Sequence, residues 1–304
     1  YAVCTRGYQA GLEAGAFVSA AHNLANRTIG RLLSGTVLTD FEQDALEDIK
    51  HINELRYEIM SDITKIALCA SYCLRGKLSM ADKFDIPGVF DETEFIRKTG
   101  GMNSLEGQLY LFKMMSLCFL GEYEKALPLV SLINPDVFFV NAEVGDYYFF
   151  APLVLLKNYS QFSHAEKRAP VDECIDKCHS KLHMFAESCP ANYHARDLLL
   201  KAERGLVQGD IPLEQLLHLY ESAISSSLEA NTIQNEALSN RLAGECLVQK
   251  GFIRGACGYF FAAADLFIKW GAKAVVSEMH RKFPDCHYPA CLEENEERTS
   301  GVHS

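Results

Sequence analysis

The strongest candidate for metal chemistry is a short segment in which cysteines and histidines repeat at helical spacing. Cys174 and Cys178 lie four residues apart, as do His179 and His183, and Cys189 follows. A zinc site takes about four such ligands at roughly 2.0–2.3 Å. On a helix, however, neighbouring residues point about 100° apart, so the two pairs diverge. The favoured interpretation is a buried cysteine pair with histidines on the solvated face, and a zinc site is the alternative.

Elsewhere the sequence lacks the motifs that bind nucleotides or carry out catalysis. Gly76-Lys77 is followed by Leu78 rather than Ser or Thr, which breaks the phosphate-loop pattern. The sequence contains no GxGxxG, HExxH or GxSxG motif and no kinase catalytic loop. We therefore expect no catalytic residue and no cofactor in this segment.

The cysteine content does not indicate a disulfide framework. Eleven cysteines are an odd number, and 304 residues can bury a core without covalent links. Cys69, Cys118, Cys246 and Cys257 fall within apolar helical patterns, where a free thiol behaves as a small hydrophobic side chain. We expect reduced cysteines and hence a reducing compartment, the cytoplasm.

The composition is that of a globular chain with an acidic surface. Hydrophobic residues make up 48%, which excludes general disorder, and the net charge of −11 argues against nucleic-acid or anionic-lipid partners. The longest apolar run, Tyr147–Leu156, is about half of the roughly 20 residues that span a bilayer. The chain begins at Tyr1 rather than Met, so we expect a piece of a longer polypeptide.

Breaks between apolar helical stretches recur at nearly constant intervals of 41 to 45 residues. This period is typical of stacked helical hairpins. The breaks lie at Gly35, Gly76, Gly121, His164, Gly209 and Gly251. No segment sustains a two-residue alternation of β-branched residues, so the pattern predicts an all-α fold, a right-handed α-solenoid of about six hairpins. We assign the solenoid to residues 1–283, with an irregular loop near 77–103 and an acidic polar linker at 284–304.

Local signals mark individual helices. Phe41, Ala45 and Ile49 fall on one face at 3.6 residues per turn. Thr39 with Glu42 three residues later matches a capping box, which predicts the start of that helix. Within the 77–103 loop, one short helix is expected near Asp91–Arg97.

The clearest hairpin is the last one. Leu238 and Leu242 share a face, and Lys250-Gly251 turns the chain. A packing face follows, in which small and aromatic residues alternate so that two helices can approach closely. Its members are Ala256, Tyr259, Phe260, Ala263, Phe267 and Trp270.

This hairpin resembles a pattern found in a known family. Asn240-Arg241-Leu242-Ala243-Gly244 is similar to the N-E-L-A-x element, with Arg241 where the family has Glu. The following turn and helix are similar to the A-x-x-Y-x-x-x-A-x-x-x-Y-x-x-W-G-A run. The matching residues are Gly251, Tyr259, Ala263, Phe267, Trp270, Gly271 and Ala272, with Phe260 beside Tyr259. The family is the helical, tetratricopeptide-like region of large multidomain signalling proteins with AAA/STAND-type ATPase, GAF and histidine kinase modules.

The resemblance implies a regulatory role. The segment would be non-catalytic and would couple a nucleotide switch to output domains, with ATP bound by neighbouring modules. Its partners would be adjacent domains or other proteins. A stand-alone helical adaptor is the first alternative, and a zinc protein built on the Cys174–Cys189 cluster is the second.

Overall fold

The computed structural model describes residues 2–78, 83–138 and 143–289, and helices dominate these ranges. Fourteen α-helices and one two-stranded ribbon lie within the described residues. The helices are α1 Ala2–Glu13, α2 Phe17–Leu33, α3 Leu38–Glu54, α4 Glu58–Arg75, α5 Glu92–Thr99, α6 Asn103–Leu120, α7 Tyr123–Val130, α8 Val144–Lys157, α9 Ala165–Ser188, α10 Pro190–Gln208, α11 Leu213–Glu229, α12 Ile233–Gln249, α13 Ile253–Trp270 and α14 Lys273–Lys282. The strands are β1 Asp85–Ile86 and β2 Phe90–Asp91, paired antiparallel. The all-α prediction is confirmed, and the solenoid of tetratricopeptide-like repeats stays a prediction.

The expected breaks fall at helix boundaries. Gly76 and Gly121 end α4 and α6 with φ angles of 77° and 72°, a left-handed conformation that glycine adopts without steric cost. His164 precedes the first residue of α9. The breaks therefore mark turns between helices, and several of the closest helix pairs, such as α12 with α13, lie across a break.

The 77–103 region contains more structure than a loop. The expected short helix is α5, and the Asp91 side chain accepts a hydrogen bond from the Glu94 backbone N–H at its start. The ribbon β1–β2 precedes it and was not predicted, because two residues per strand are too few to show an alternation. Lys113 of α6 holds both Glu92 carboxylate oxygens at 2.7 and 2.9 Å, which fixes α5 against α6.

The capping-box prediction at Thr39 and Glu42 is wrong. The helix α3 begins at Leu38, and Glu42 is buried within it at 4% exposure. Its carboxylate accepts hydrogen bonds from Ser71 and Arg75 of α4. Glu42 therefore joins two helices rather than capping one.

The last hairpin packs as its sequence predicts. Phe260, Ala263 and Phe267 have no exposed surface, and Trp270 is 1% exposed. A Cβ atom on Gly244 of α12 would lie 2.7 Å from the Phe260 ring, so only glycine permits this approach of α12 to α13. The small residues thus set the distance between the two helices.

The last two described helices pack against the first half of the chain, which closes the array. The helix α14 contacts α4 and α6, and the Trp270 indole N–H donates to the Thr36 carbonyl at 3.1 Å. None of the described helices is long and apolar enough to cross a bilayer.

The expectation that Cys257 is a free thiol is wrong, because it forms a disulfide with Cys286. The chain leaves α14 and returns along α13, where Cys286 is 6% exposed and the Tyr288 hydroxyl lies 3.2 Å from the Phe283 carbonyl. Residues 284–289, the start of the expected linker, therefore lie against the helices, and residues 290–304 are outside the described ranges. The cytoplasmic location stays a prediction, since it was inferred from free cysteines.

We expect Trp270→Ala to lower the free energy of unfolding by about 3–5 kcal/mol, because it empties a closed aromatic site. Ala263→Glu should also lower the free energy of unfolding, because it buries a charge. The control is Phe261→Ala on the same helix, a side chain 47% exposed, with an expected change within about 0.5 kcal/mol. Urea unfolding measures all three, and equal midpoints for Trp270→Ala and the wild type would contradict this packing.

We expect Cys286→Ser to destabilise the chain by about 3 kcal/mol, because the bridge restricts a sequence separation of 29 residues in the unfolded state. Dithiothreitol should destabilise the wild type by a similar amount and leave the variant unchanged. The exposed free thiol Cys189 offers the control, Cys189→Ser, which should unfold like the wild type. If the reductant did not change the stability of the wild type, the bridge would contribute nothing to that stability.

Candidate functional site

The residues of the candidate zinc cluster face different partners. Cys174 and Cys178 lie one turn apart on α9, where Cys174 is half-buried and Cys178 is 3% exposed. His179 and His183 instead face Asp197 of α10, at 3.3 and 3.2 Å. The two pairs diverge as helical geometry requires, and no three His, Cys, Asp or Glu side chains in the described ranges form a metal-holding group.

Asp197 connects α9 to α10. Burial raises the pKa of its carboxyl, but the adjacent His179, Lys201 and His183 outweigh this effect and hold the pKa well below its ordinary range. Lys201 donates at 2.6 Å. The histidines that could have been metal ligands therefore contribute to the packing of two helices.

One connection between the two halves of the chain is at the C-terminal end of α6. Arg241 of α12 is 2% exposed, and its guanidinium donates to the carbonyls of Phe119 and Cys118 and to the Tyr123 hydroxyl. The last carbonyls of a helix have no partner within the helix and carry its partial negative charge. A buried cation at this position donates hydrogen bonds to these carbonyls and offsets their partial negative charge.

Lys282, the last residue of α14, reaches the same helix end. Its ammonium group donates to the Gly121 carbonyl at 2.7 Å and lies 2.9 Å from the Glu122 carboxylate. Two cations from different helices of the second half therefore bind one helix end of the first half. We call this contact, formed by Arg241, Lys282 and residues 118–122, the closure contact.

A row of buried charges extends from the closure contact into the array. Glu245 lies 3.3 Å from Arg241 and 2.9 Å from Lys157 of α8, and Lys157 lies 3.0 Å from Glu203 of α10. Burial alone would lower the pKa of Lys157, but the two glutamates raise it. The Tyr220 hydroxyl of α11 donates to Glu203 at 2.9 Å. Each buried charge therefore has an opposite charge or a donor beside it.

The W-G-A motif forms the other side of the closure. Trp270 packs on Phe119 of α6 with ring centroids 5.2 Å apart. Gly271 has a φ angle of 96° and lies opposite Leu38, while Ala272 is fully buried. Two other residues of the family pattern do not take part in the closure. Gly251 forms an exposed turn, and the Tyr259 hydroxyl donates to Glu221 of α11.

A polar cavity of about 500 Å³ lies where the α2–α3 turn, α8, α10 and the α11–α12 turn meet. Its charged pair is Arg196 and Asp146, with Nη1 and Oδ1 2.8 Å apart, and Arg196 also lies over the Phe149 ring at 5.6 Å. Hydroxyl and amide groups supply most of the remaining polar lining, from Ser34, Thr36, Asn192, Tyr193, Asn231 and Asn235. The opposite charges of Arg196 and Asp146 cancel, so the cavity suits a neutral polar group.

Glu143 lies beside this cavity at the start of α8 and is 4% exposed. Burial raises the pKa of its carboxyl to about 7, and the nearby Asp146 adds to the effect, while a hydrogen bond from Gln108 opposes it. The Gln108 amide donates at 3.1 Å. A carboxyl with this pKa changes its charge near neutral pH.

Comparisons with protein-family models, with curated proteins and with solved structures give no match. The function must therefore be argued from the geometry and from the sequence pattern of the last hairpin.

Sequence reasoning missed the residues that make the closure contact. Arg241 was noted only as a departure from a family pattern, and Lys157 and Lys282 were not singled out. A usable signal existed for two of them, because Arg241 directly precedes Leu242 of the apolar face and Lys157 directly follows an apolar run. A charge at such a position indicates a buried partner. The identity of that partner could not be read from the sequence.

We expect the stability of the chain to fall as the pH rises from about 4.5 to about 7, in part through Glu143. The unfolded state releases this proton at a lower pH than the folded state, so folding is favoured while the carboxyl stays protonated. Glu143→Gln should remove up to about 3 kcal/mol of this decline. Urea unfolding across this pH range gives the difference between variant and wild type. The exposed Glu214 provides the control Glu214→Gln, and parallel profiles for Glu143→Gln and the wild type would contradict the effect.

Proposed function

We propose that this chain is a non-catalytic helical-repeat segment that regulates a multidomain signal-transduction protein, by coupling a nucleotide switch to output domains. The supporting observation is the closure contact, in which Arg241 of the hairpin that carries the family resemblance and Lys282 of α14 bind the end of α6.

The closure contact gives the proposed coupling a physical basis. Hydrogen bonds to a charged group each contribute about 1.5–3 kcal/mol. A module that pulled on α6 or on α14 would therefore compete with an interaction of limited strength. Loss of the contact would release the last hairpin from the first half of the chain. The position of that hairpin would then depend on whether the end of α6 is bound.

The repeat architecture is part of this proposal. The regular spacing of helix ends and the close α12–α13 hairpin support a right-handed tetratricopeptide-like solenoid of about six hairpins. The proposed partners are neighbouring domains of the same polypeptide, in which ATP would be bound.

The first experiment is an immunoblot of cell extract with an antibody raised against this segment. A band several times larger than 34.0 kDa is expected for a multidomain protein. A band at 34.0 kDa would contradict the proposal and favour the stand-alone adaptor.

The decisive test uses the purified native protein with Lys282→Ala. We expect the ratio of histidine phosphorylation with and without nucleotide to change about tenfold, corresponding to about 1.4 kcal/mol. The control is Lys269→Ala, which removes an exposed surface pair with Asp265 on α13 and should leave the ratio unchanged. Circular dichroism should show equal helix content in all three proteins. An unchanged ratio in Lys282→Ala would contradict the coupling role.

A further inference from the structure

The polar cavity beside Arg196 lies between the two halves of the chain, and contacts within the protein fix its walls. The α2–α3 turn supplies one wall and the α11–α12 turn another. The Gln234 amide joins them by donating to the Leu33 carbonyl at 2.7 Å. At Gly35, which has a φ angle of 81°, a Cβ atom would overlap the Gln234 amide oxygen in the position that makes this bond. The cavity is therefore preformed, as small-molecule sites usually are.

Two buried side chains of the lining keep hydrogen-bond donors that the protein does not use. Arg196 is 6% exposed and Asn235 is 3% exposed. Arg196 donates from Nε to Asn235 Oδ1 at 3.3 Å and pairs through Nη1 with Asp146 at 2.8 Å. Within the described ranges, neither Nη2 of Arg196 nor the amide nitrogen of Asn235 has a hydrogen-bond partner. Buried donors in proteins are almost always satisfied, so these two indicate a molecule in the cavity.

The more exposed part of the lining adds groups that both donate and accept. Asn192 and Asn231 are exposed, and their side-chain amides make no hydrogen bond to the part of the chain that the structure describes. The same holds for the hydroxyl of the half-buried Tyr193. A ligand whose own groups both donate and accept would match amides and a hydroxyl.

The charges of the lining exclude most other classes of ligand. Its two charged side chains, Arg196 and Asp146, are paired with each other. A phosphate or carboxylate group would need a cation without a partner. An apolar ligand would leave the donors of Arg196 and Asn235 unsatisfied.

Neighbouring hydroxyl groups meet both conditions. Each hydroxyl donates and accepts without carrying a charge, and two adjacent hydroxyls can bind the two arms of one planar guanidinium or amide group. The cavity volume of about 500 Å³ lies within the range of roughly 300–1,000 Å³ that is usual for small-molecule sites. It has room for a single sugar-sized ring.

We propose that this cavity binds a neutral polyhydroxylated ring, a monosaccharide or a cyclitol. Arg196 and Asn235 donate to its hydroxyl oxygens, and the Asp146 carboxylate accepts from a hydroxyl. The amides of Asn192 and Asn231 bind its more exposed side. Because the α2–α3 and α11–α12 turns both line the site, the ligand stabilises the contact between the two halves of the chain. The site does not depend on the proposed signalling function.

The first test titrates the purified chain with D-glucose, D-galactose and myo-inositol in turn by isothermal titration calorimetry. We expect saturable one-to-one binding of at least one of them. The phosphate monoester of that compound should bind at least about tenfold more weakly, because the lining has no unpaired cation. Saturating ligand should also raise the urea midpoint, since it binds the folded state. Absence of saturable binding by all three probes, or tighter binding of the phosphate ester, would overturn the proposal.

Variants of the lining locate the binding site. Asn235→Ala removes a buried donor and should weaken binding about tenfold, and Asn192→Ala should weaken it several-fold from the exposed side. The control is Asn53→Ala, an exposed asparagine near the other end of α3, with unchanged affinity expected. Circular dichroism melting confirms that each variant is folded, and Asn192→Ala decides the matter if Asn235→Ala is not. Wild-type affinity in the folded lining variants would show that the ligand binds elsewhere and would overturn the assignment.

Discussion

The structure depends on the carbonyl end of α6 and the two cations that satisfy it. A helix end leaves four carbonyls without partners, and burying such an end is costly unless donors reach it. Here the donors are Arg241 and Lys282, which lie 122 and 161 residues beyond Phe119 and Gly121. Because these contacts close long loops, each has an entropic cost that other contacts of the fold must offset.

The buried charges that adjoin this contact explain why the hairpins take one arrangement. A buried charge without a partner costs several kcal/mol, so Lys157 must lie between Glu203 and Glu245. A shift of α8 relative to α10 or α12 would separate these groups. The apolar faces alone would tolerate such shifts, since the hydrophobic effect is not directional. The polar row therefore selects among packings that the apolar residues permit.

The cysteines show how far the surroundings decide the chemistry of one residue type. Cys118 is a core side chain, Cys257 is bonded to Cys286, and Cys174 is half-buried one turn before the buried Cys178. Their local sequences do not distinguish these fates, because all except Cys286 lie within helices. Burial and the presence of a second cysteine nearby make the difference, and both come from packing.

The sequence by itself determined the helices, the turns between them and the face of the last hairpin, because a helix repeats every 3.6 residues and each stripe is local. It did not determine that Glu42 joins α3 to α4, or that Arg241 binds α6. Nor did it place the cavity beside Arg196, whose walls come from four elements. Only the tertiary structure decided these points, since the partner of a polar group is a matter of distance in space, and local periodicity carries no information about it.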